Sequence, residues 1–74
     1  MREKNHIVKL VKKYINRFGY IEWKELKDIQ INEKNLIWTI IFIARQKDNK
    51  KSYIYKVNFE SESGKIDGLQ LIEE

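Results

Sequence analysis

Residues 36–44, Leu-Ile-Trp-Thr-Ile-Ile-Phe-Ile-Ala, constrain this chain more than any other stretch. A strand sends successive side chains to opposite faces, and here both faces are apolar. Leu36, Trp38, Ile40, Phe42 and Ala44 form one set, and Ile37, Thr39, Ile41 and Ile43 form the other. A chain of 74 residues is near the lower limit for a self-sufficient core, and it holds one helical segment with which to cover a sheet. The second face is therefore left to a partner, or stands exposed as an apolar patch.

That helical segment is legible in the first quarter of the chain. Ile7, Val8, Leu10, Val11, Tyr14, Ile15 and Phe18 recur at the spacing of one apolar stripe on an α-helix. The pattern predicts a helix over about residues 3–18, stopped by Gly19 in the position where a left-handed glycine ends a helix. The opposite face carries Arg2, Lys9, Lys12, Lys13, Asn16 and Arg17, with no acid among them.

Residues 20–25 read as a connection anchored by Trp23. Four strand candidates follow, at 26–31, 36–46, 53–60 and 66–72, of which the first has the weakest alternation. Asn32-Glu33-Lys34-Asn35, Lys47-Asp48-Asn49-Lys50 and Glu62-Ser63-Gly64 separate them, rich in the residues that tolerate tight hairpin turns. The expected fold class is α+β: a single domain over 1–74, with one N-terminal helix packed on a three- or four-stranded antiparallel β-meander spanning about residues 26–72.

The turns imply a register. Centring the middle hairpin on Asp48-Asn49 sets Trp38 opposite Phe59, Ile40 opposite Val57, Phe42 opposite Tyr55 and Ala44 opposite Tyr53. All four pairs are apolar, so this is the expected core face. A Glu62-Ser63-Gly64 loop with Gly64 in a bulge sets Leu69 beside Val57 and Leu71 beside Tyr55 on the same face. The expected core joins Trp38, Phe42, Tyr55, Val57 and Leu69 to Val11 and Phe18 of the helix. On the other face Ile43 meets Ile54 and Ile54 meets Ile72, while Ile41 meets Lys56. An isoleucine cluster of Ile41, Ile43, Ile54 and Ile72 thus grades into Lys56, Thr39, Asn58 and Gln70. Ile41, Ile43, Ile54, Ile72 and Lys56 are the candidate protein interface, for a homodimer or a protein partner.

The residues that carry chemistry are sparse. His6 is the single histidine and there is no cysteine, so no triad, metal site or disulfide framework can be assembled. Carboxylates are scattered, and the three glycines form no phosphate-binding pattern. The expectation is a non-enzyme without a metal, cofactor or small-molecule substrate. Lysines interrupt the N-terminal apolar residues, which excludes a signal peptide, and no apolar run approaches the ~20 residues of a membrane span. A soluble, cytoplasmic protein is expected.

The formal net charge is +4, and the cations cluster. Arg45, Lys47, Lys50 and Lys51 crowd the middle hairpin tip, diluted by Asp48, and Lys9, Lys12, Lys13 and Arg17 line the helix. A basic two-stranded ribbon can enter a nucleic-acid groove and neutralise phosphates. A nucleic-acid-binding protein using both surfaces is the alternative reading. No arginine cluster suited to bidentate base contacts accompanies them.

The run Tyr55-Lys56-Val57-Asn58-Phe59-Glu60-Ser61-Glu62-Ser63-Gly64-Lys65-Ile66 resembles the closing hairpin of PepSY-type domains, with a Tyr-x-Val strand, a Gly-Lys turn and a final strand. Leu36-Ile37-Trp38-Thr39-Ile40 resembles the strand before it. One helix followed by an antiparallel sheet is also similar to the gas-vesicle accessory protein O family and to cystatin-like folds. The resemblance covers about residues 36–72. It implies a non-enzymatic interaction or inhibitory role and assigns no functional residue. A small interaction or accessory module, acting through the open face of the sheet, is the function expected.

Overall fold

The computed structural model describes residues 4–73; Arg2 and the expected helix start at residue 3 lie outside them. Helix α1 spans Lys4–Asn16 and is followed by strands β1 (Ile21–Asn32), β2 (Ile37–Gln46), β3 (Ser52–Glu60) and β4 (Ile66–Glu73). The strands form one antiparallel sheet in the order β1-β2-β3-β4, a four-stranded meander. The fold is α+β, with α1 packed against one sheet face.

The stripe of α1 works as its spacing predicts. Ile7, Val11 and Ile15, one turn apart, are fully buried, with Val8, Leu10 and Tyr14 packed around them. The helix ends sooner than the pattern suggested. Arg17 N–H reaches back to the Lys13 and Tyr14 carbonyls and Phe18 N–H to that of Ile15, and Gly19 then turns the chain at φ +82°. Phe18 is carried off the stripe and is exposed rather than in the core. It packs instead on its neighbours, edge-on to Tyr14 at 5.1 Å and against Tyr20 at 5.7 Å. Asn16, the last helical residue, accepts the Trp23 N–H on its Oδ1 at 3.1 Å, tying the end of α1 to β1.

The β2–β3 register is the one implied by the turn. Trp38↔Phe59, Ile40↔Val57, Phe42↔Tyr55 and Ala44↔Tyr53 are all paired. Seven of those eight residues are buried, and Tyr53 packs at the margin of the core. Phe42 lies at the centre, stacked between Trp23 at 4.7 Å and Tyr55 at 5.8 Å. The polar ends of two core residues are met: Trp38 Nε1–H donates to Ser61 Oγ at 2.8 Å, and Gln46 Nε2–H donates to Tyr55 Oη at 3.1 Å.

All three hairpins close the same way. The carbonyls of Asn32, Gln46 and Glu60 each accept the N–H four residues on, at 2.8, 2.8 and 2.9 Å. The donors Leu36, Lys50 and Gly64 have φ of +57°, +58° and +75°. The middle turn is thus wider than Asp48-Asn49, but it widens symmetrically, so the register is preserved. The last turn closes on Glu60 and Lys65, one residue short of the expected pairing, giving Phe59↔Ile66 and Asn58↔Asp67. The offset is recovered at a bulge in which Gly68 and Leu69 together oppose Val57, after which Lys56↔Gln70 and Tyr55↔Leu71 follow as expected. Gly68 has φ +71°, and a Cβ there would lie 2.9 Å from Asn58 Nδ2. Leu69 packs on the core, whereas Leu71, near the end of an edge strand, stays exposed.

Strand β1 departs most from expectation. Residues 21–25 belong to the strand instead of a connection, and Ile21 and Trp23 are buried. Two bulges, at Lys24 and Lys27, interrupt its pairing with β2. Each resets the alternation, so Trp23, Leu26, Ile29 and Ile31, spaced three, three and two apart, all oppose core-face residues of β2: Ala44, Phe42, Ile40 and Trp38.

Candidate functional site

The helix covers one face of the sheet and, among the described residues, nothing covers the other. On that open face the strands contribute parallel rows, and residues paired across the strands form rungs. One rung is Asp28, Ile41, Lys56 and Gln70. Toward the middle hairpin lies Glu25, Ile43 and Ile54, and toward the opposite end lies Gln30, Thr39, Asn58 and Asp67. Ile41, Ile43, Ile54 and Lys56 are each half-buried by their neighbours in the sheet alone.

Three of the four isoleucines of the candidate interface are therefore brought together as expected, with Ile43↔Ile54 and Ile41↔Lys56 paired. Ile72 is not aligned with them. A bulge between Ile54↔Glu73 and Tyr55↔Leu71 puts Glu73, not Ile72, opposite Ile54. Ile72 is the extra residue of that bulge and is exposed at the sheet edge.

Strand β1 adds a feature that the sequence pattern hid. Its bulges turn Glu22, Glu25 and Asp28, each three residues apart, onto the open face, opposite Arg45, Ile43 and Ile41. The face thus has an acidic flank along β1, an apolar row along β2 and a lysine in β3. Glu22 Oε1 accepts from Lys24 Nζ and Arg45 Nη2, both at 3.1 Å. The Lys24 ammonium, by hydrogen bond and charge, and then the Arg45 guanidinium hold the Glu22 carboxyl below its ordinary pKa. Asp28 accepts the Ile29 N–H and Gln30 Nε2–H at 2.9 and 2.8 Å. No carboxylate lies within ion-pair distance of Lys56 among the described residues.

Both sheet edges are interrupted. The β1 edge carries the bulges at Lys24 and Lys27, and the β4 edge those at Gly68 and Ile72. Bulges of this kind obstruct strand-to-strand addition, which leaves the flat face as the accessible apolar surface.

The basic residues divide. Lys47, Lys50 and Lys51 are exposed at the β2–β3 tip, which Lys47 N–H ties to the Tyr20 carbonyl at 2.9 Å. Arg45 is not part of that tip: it is half-buried and its guanidinium is turned to Glu22. Lys9, Lys12 and Lys13 are exposed on α1, and Arg17 is exposed in the turn just past its end. Lys13 and Arg17 line a cleft with Leu10, Tyr14, Gly64 and Ile66, so this part of the basic helix face adjoins the β3–β4 turn.

Among the described residues no group of three or more His, Cys, Asp or Glu side chains is placed to hold a metal ion. No helix is long and apolar enough to cross a membrane.

Fold and surface together define a class: a small α+β protein whose four-stranded meander has one face closed by its own helix and one face open. The chain matches no family model, and no curated protein and no solved structure shows significant similarity to it.

Proposed function

We propose that this protein is a small non-enzymatic interaction module that binds a protein partner, or itself, through the open face of its sheet. One observation carries the reading: Ile41, Ile43 and Ile54 are contiguous, half-buried and without a covering layer among the described residues. Full burial of a half-exposed isoleucine is worth on the order of 1 kcal/mol. In a dimer the gain from both copies is comparable with the cost of lost rigid-body freedom. Apolar contact alone therefore supports weak association, and the polar groups around it must match those of the partner.

The test is sedimentation of the protein over a wide concentration range, beside Ile43→Lys and Ile54→Lys. Both substitutions lie off the core face, so each should remove association and leave the folded signal intact. A wild type that stays monomeric, and that captures no protein dependent on Ile43, sinks the reading.

A second reading rests on Lys47, Lys50 and Lys51, exposed on one hairpin with Asp48 as the nearby acid. Lysines so placed suit phosphate contacts on a nucleic acid. Titration against duplex and single-stranded oligonucleotides near physiological salt decides it. Binding no tighter than the generic range of about 10⁻⁴ to 10⁻⁶ M leaves the cations as a solvated surface. Specific use of the tip requires the Lys47, Lys50 and Lys51 reversal to Glu to abolish binding and flatten the salt slope by about one unit per lost contact. Lys9 and Lys13, on the helix, are reversed separately.

A further inference from the structure

We propose that the occupant of the open face is a second copy of this chain, packed face to face about a two-fold axis running along β2. Asp28 of each copy then meets Lys56 of the other. The inference rests on the reading of this face as an interaction surface and adds its partner and register.

A closed homodimer presents the same patch from both sides, so the patch must complement itself under a two-fold rotation. Two stacked sheets offer few such rotations, and the charge pattern separates them. An axis across the strands lays β1 over β1 and stacks the acidic row of Glu22, Glu25 and Asp28 on itself. An axis along β3 sets Lys56 against Lys56. An axis between β2 and β3 places Lys56 over Ile41 and leaves Asp28 over Gln70. An axis along β2 exchanges the β1 and β3 rows while keeping every rung at its own level.

The rungs make this last arrangement specific. Asp28, Ile41 and Lys56 share one rung, so Asp28 of one copy lies over Lys56 of the other, twice per dimer. Gln30, Thr39 and Asn58 share the next, which lays side-chain amide over side-chain amide. Thr39, Ile41 and Ile43 lie on the axis and meet their own counterparts, as does Arg45, whose charge Glu22 of the same copy already offsets, while Glu25 lies over Ile54. Aligned sheets cross at about 30°, which displaces residues far along the strands but little those one strand from the axis, where Asp28 and Lys56 sit. The arrangement also gives Lys56, half-buried and without a carboxylate partner among the described residues, a counter-charge. The bulged edges disfavour the alternative of joining sheets side by side.

Charge reversal tests the register. Asp28→Lys leaves a copy with two cations at the exchanging positions, and Lys56→Asp leaves one with two anions. Each variant alone should dimerise at least about tenfold more weakly than wild type, because like charges then face each other. An equimolar mixture of the two should dimerise again, since every exchanging pair is then opposite in sign, and so should the double variant Asp28→Lys/Lys56→Asp by itself. Far-ultraviolet circular dichroism checks folding of each chain, and recovery in the mixture is itself a sign that both fold. If Ile43→Lys abolishes association while the mixed variants stay monomeric, the open face is used but the proposed axis is wrong. A wild type that is monomeric at millimolar concentration overturns self-pairing outright, and capture of a different protein dependent on Ile43 would then keep the broader reading alone.

Discussion

Trp23 and Phe42 stack with ring centroids 4.7 Å apart and planes within 15° of parallel. They come from strands whose pairing is broken by a bulge one residue beyond Trp23, yet they form the centre of the core. Phe42 is fully buried and is also sandwiched by Tyr55 on its other side. Phe42→Ala should cost roughly 3–5 kcal/mol, most of the stability of a domain this small. Urea denaturation of the two proteins measures it. A loss below about 1 kcal/mol would place Phe42 outside the region that holds the fold together.

Gly68 and Gly19 both have positive φ, but they differ in space. A Cβ at Gly19 meets nothing within 4 Å, whereas one at Gly68 strikes Asn58 Nδ2 at 2.9 Å. Gly19→Ala should therefore cost about 1 kcal/mol, the conformational strain alone. Gly68→Ala should cost about 1 kcal/mol more, because it also displaces the Asn58 side chain. Asn58→Ala should rescue part of the second loss and none of the first, a coupling that thermal melts of the four proteins and their two combinations resolve.

Lys50 occupies a left-handed turn position, φ +58°, that Gly64 fills in the last hairpin. A residue with a Cβ is strained there by about 1–2 kcal/mol, offset in part by the greater freedom glycine has in the unfolded chain. Lys50→Gly should be neutral to stabilising by up to about 1 kcal/mol. A destabilisation beyond about 0.5 kcal/mol would show that the Lys50 side chain contributes to the fold.

The Glu22 carboxyl is held below its ordinary pKa by Lys24 first and then Arg45. A carboxyl with a depressed folded pKa contributes stability above its unfolded value, and that contribution is lost as pH falls through the folded value. The acid limb of the stability curve below about pH 4.3 should therefore be shallower in Glu22→Gln than in wild type. The group is exposed, so the effect is small and sensitive to added salt. A carbon-detected titration of Glu22 with a midpoint at or above the ordinary carboxylate value would refute the arrangement.

Much of the candidate site was legible in the chain. Ile43 opposite Ile54 and Ile41 opposite Lys56 followed from the middle turn, because Asp48-Asn49 marks its centre and widening a turn symmetrically leaves the register intact. The acidic flank was not legible. Glu22, Glu25 and Asp28 are spaced by three, a spacing that no regular strand places on one face, and by position in the chain Arg45 groups with the lysines it precedes.

The amino-acid sequence by itself determined the helical stripe of Ile7, Val11 and Ile15, the three hairpins, and the core face of β2 and β3. Each of these is a local periodicity or a turn preference and needs only neighbouring residues to be expressed. Tertiary structure alone decided where β1 and β4 break step. The bulges at Lys24, Lys27 and Gly68 let Trp23, Leu26, Ile29 and Leu69 meet a partner strand whose register is already set. A bulge is chosen by the packing of two strands together, so its position is written in neither strand alone. The same choice turned the acids of β1 onto the open face beside Ile41, Ile43 and Lys56.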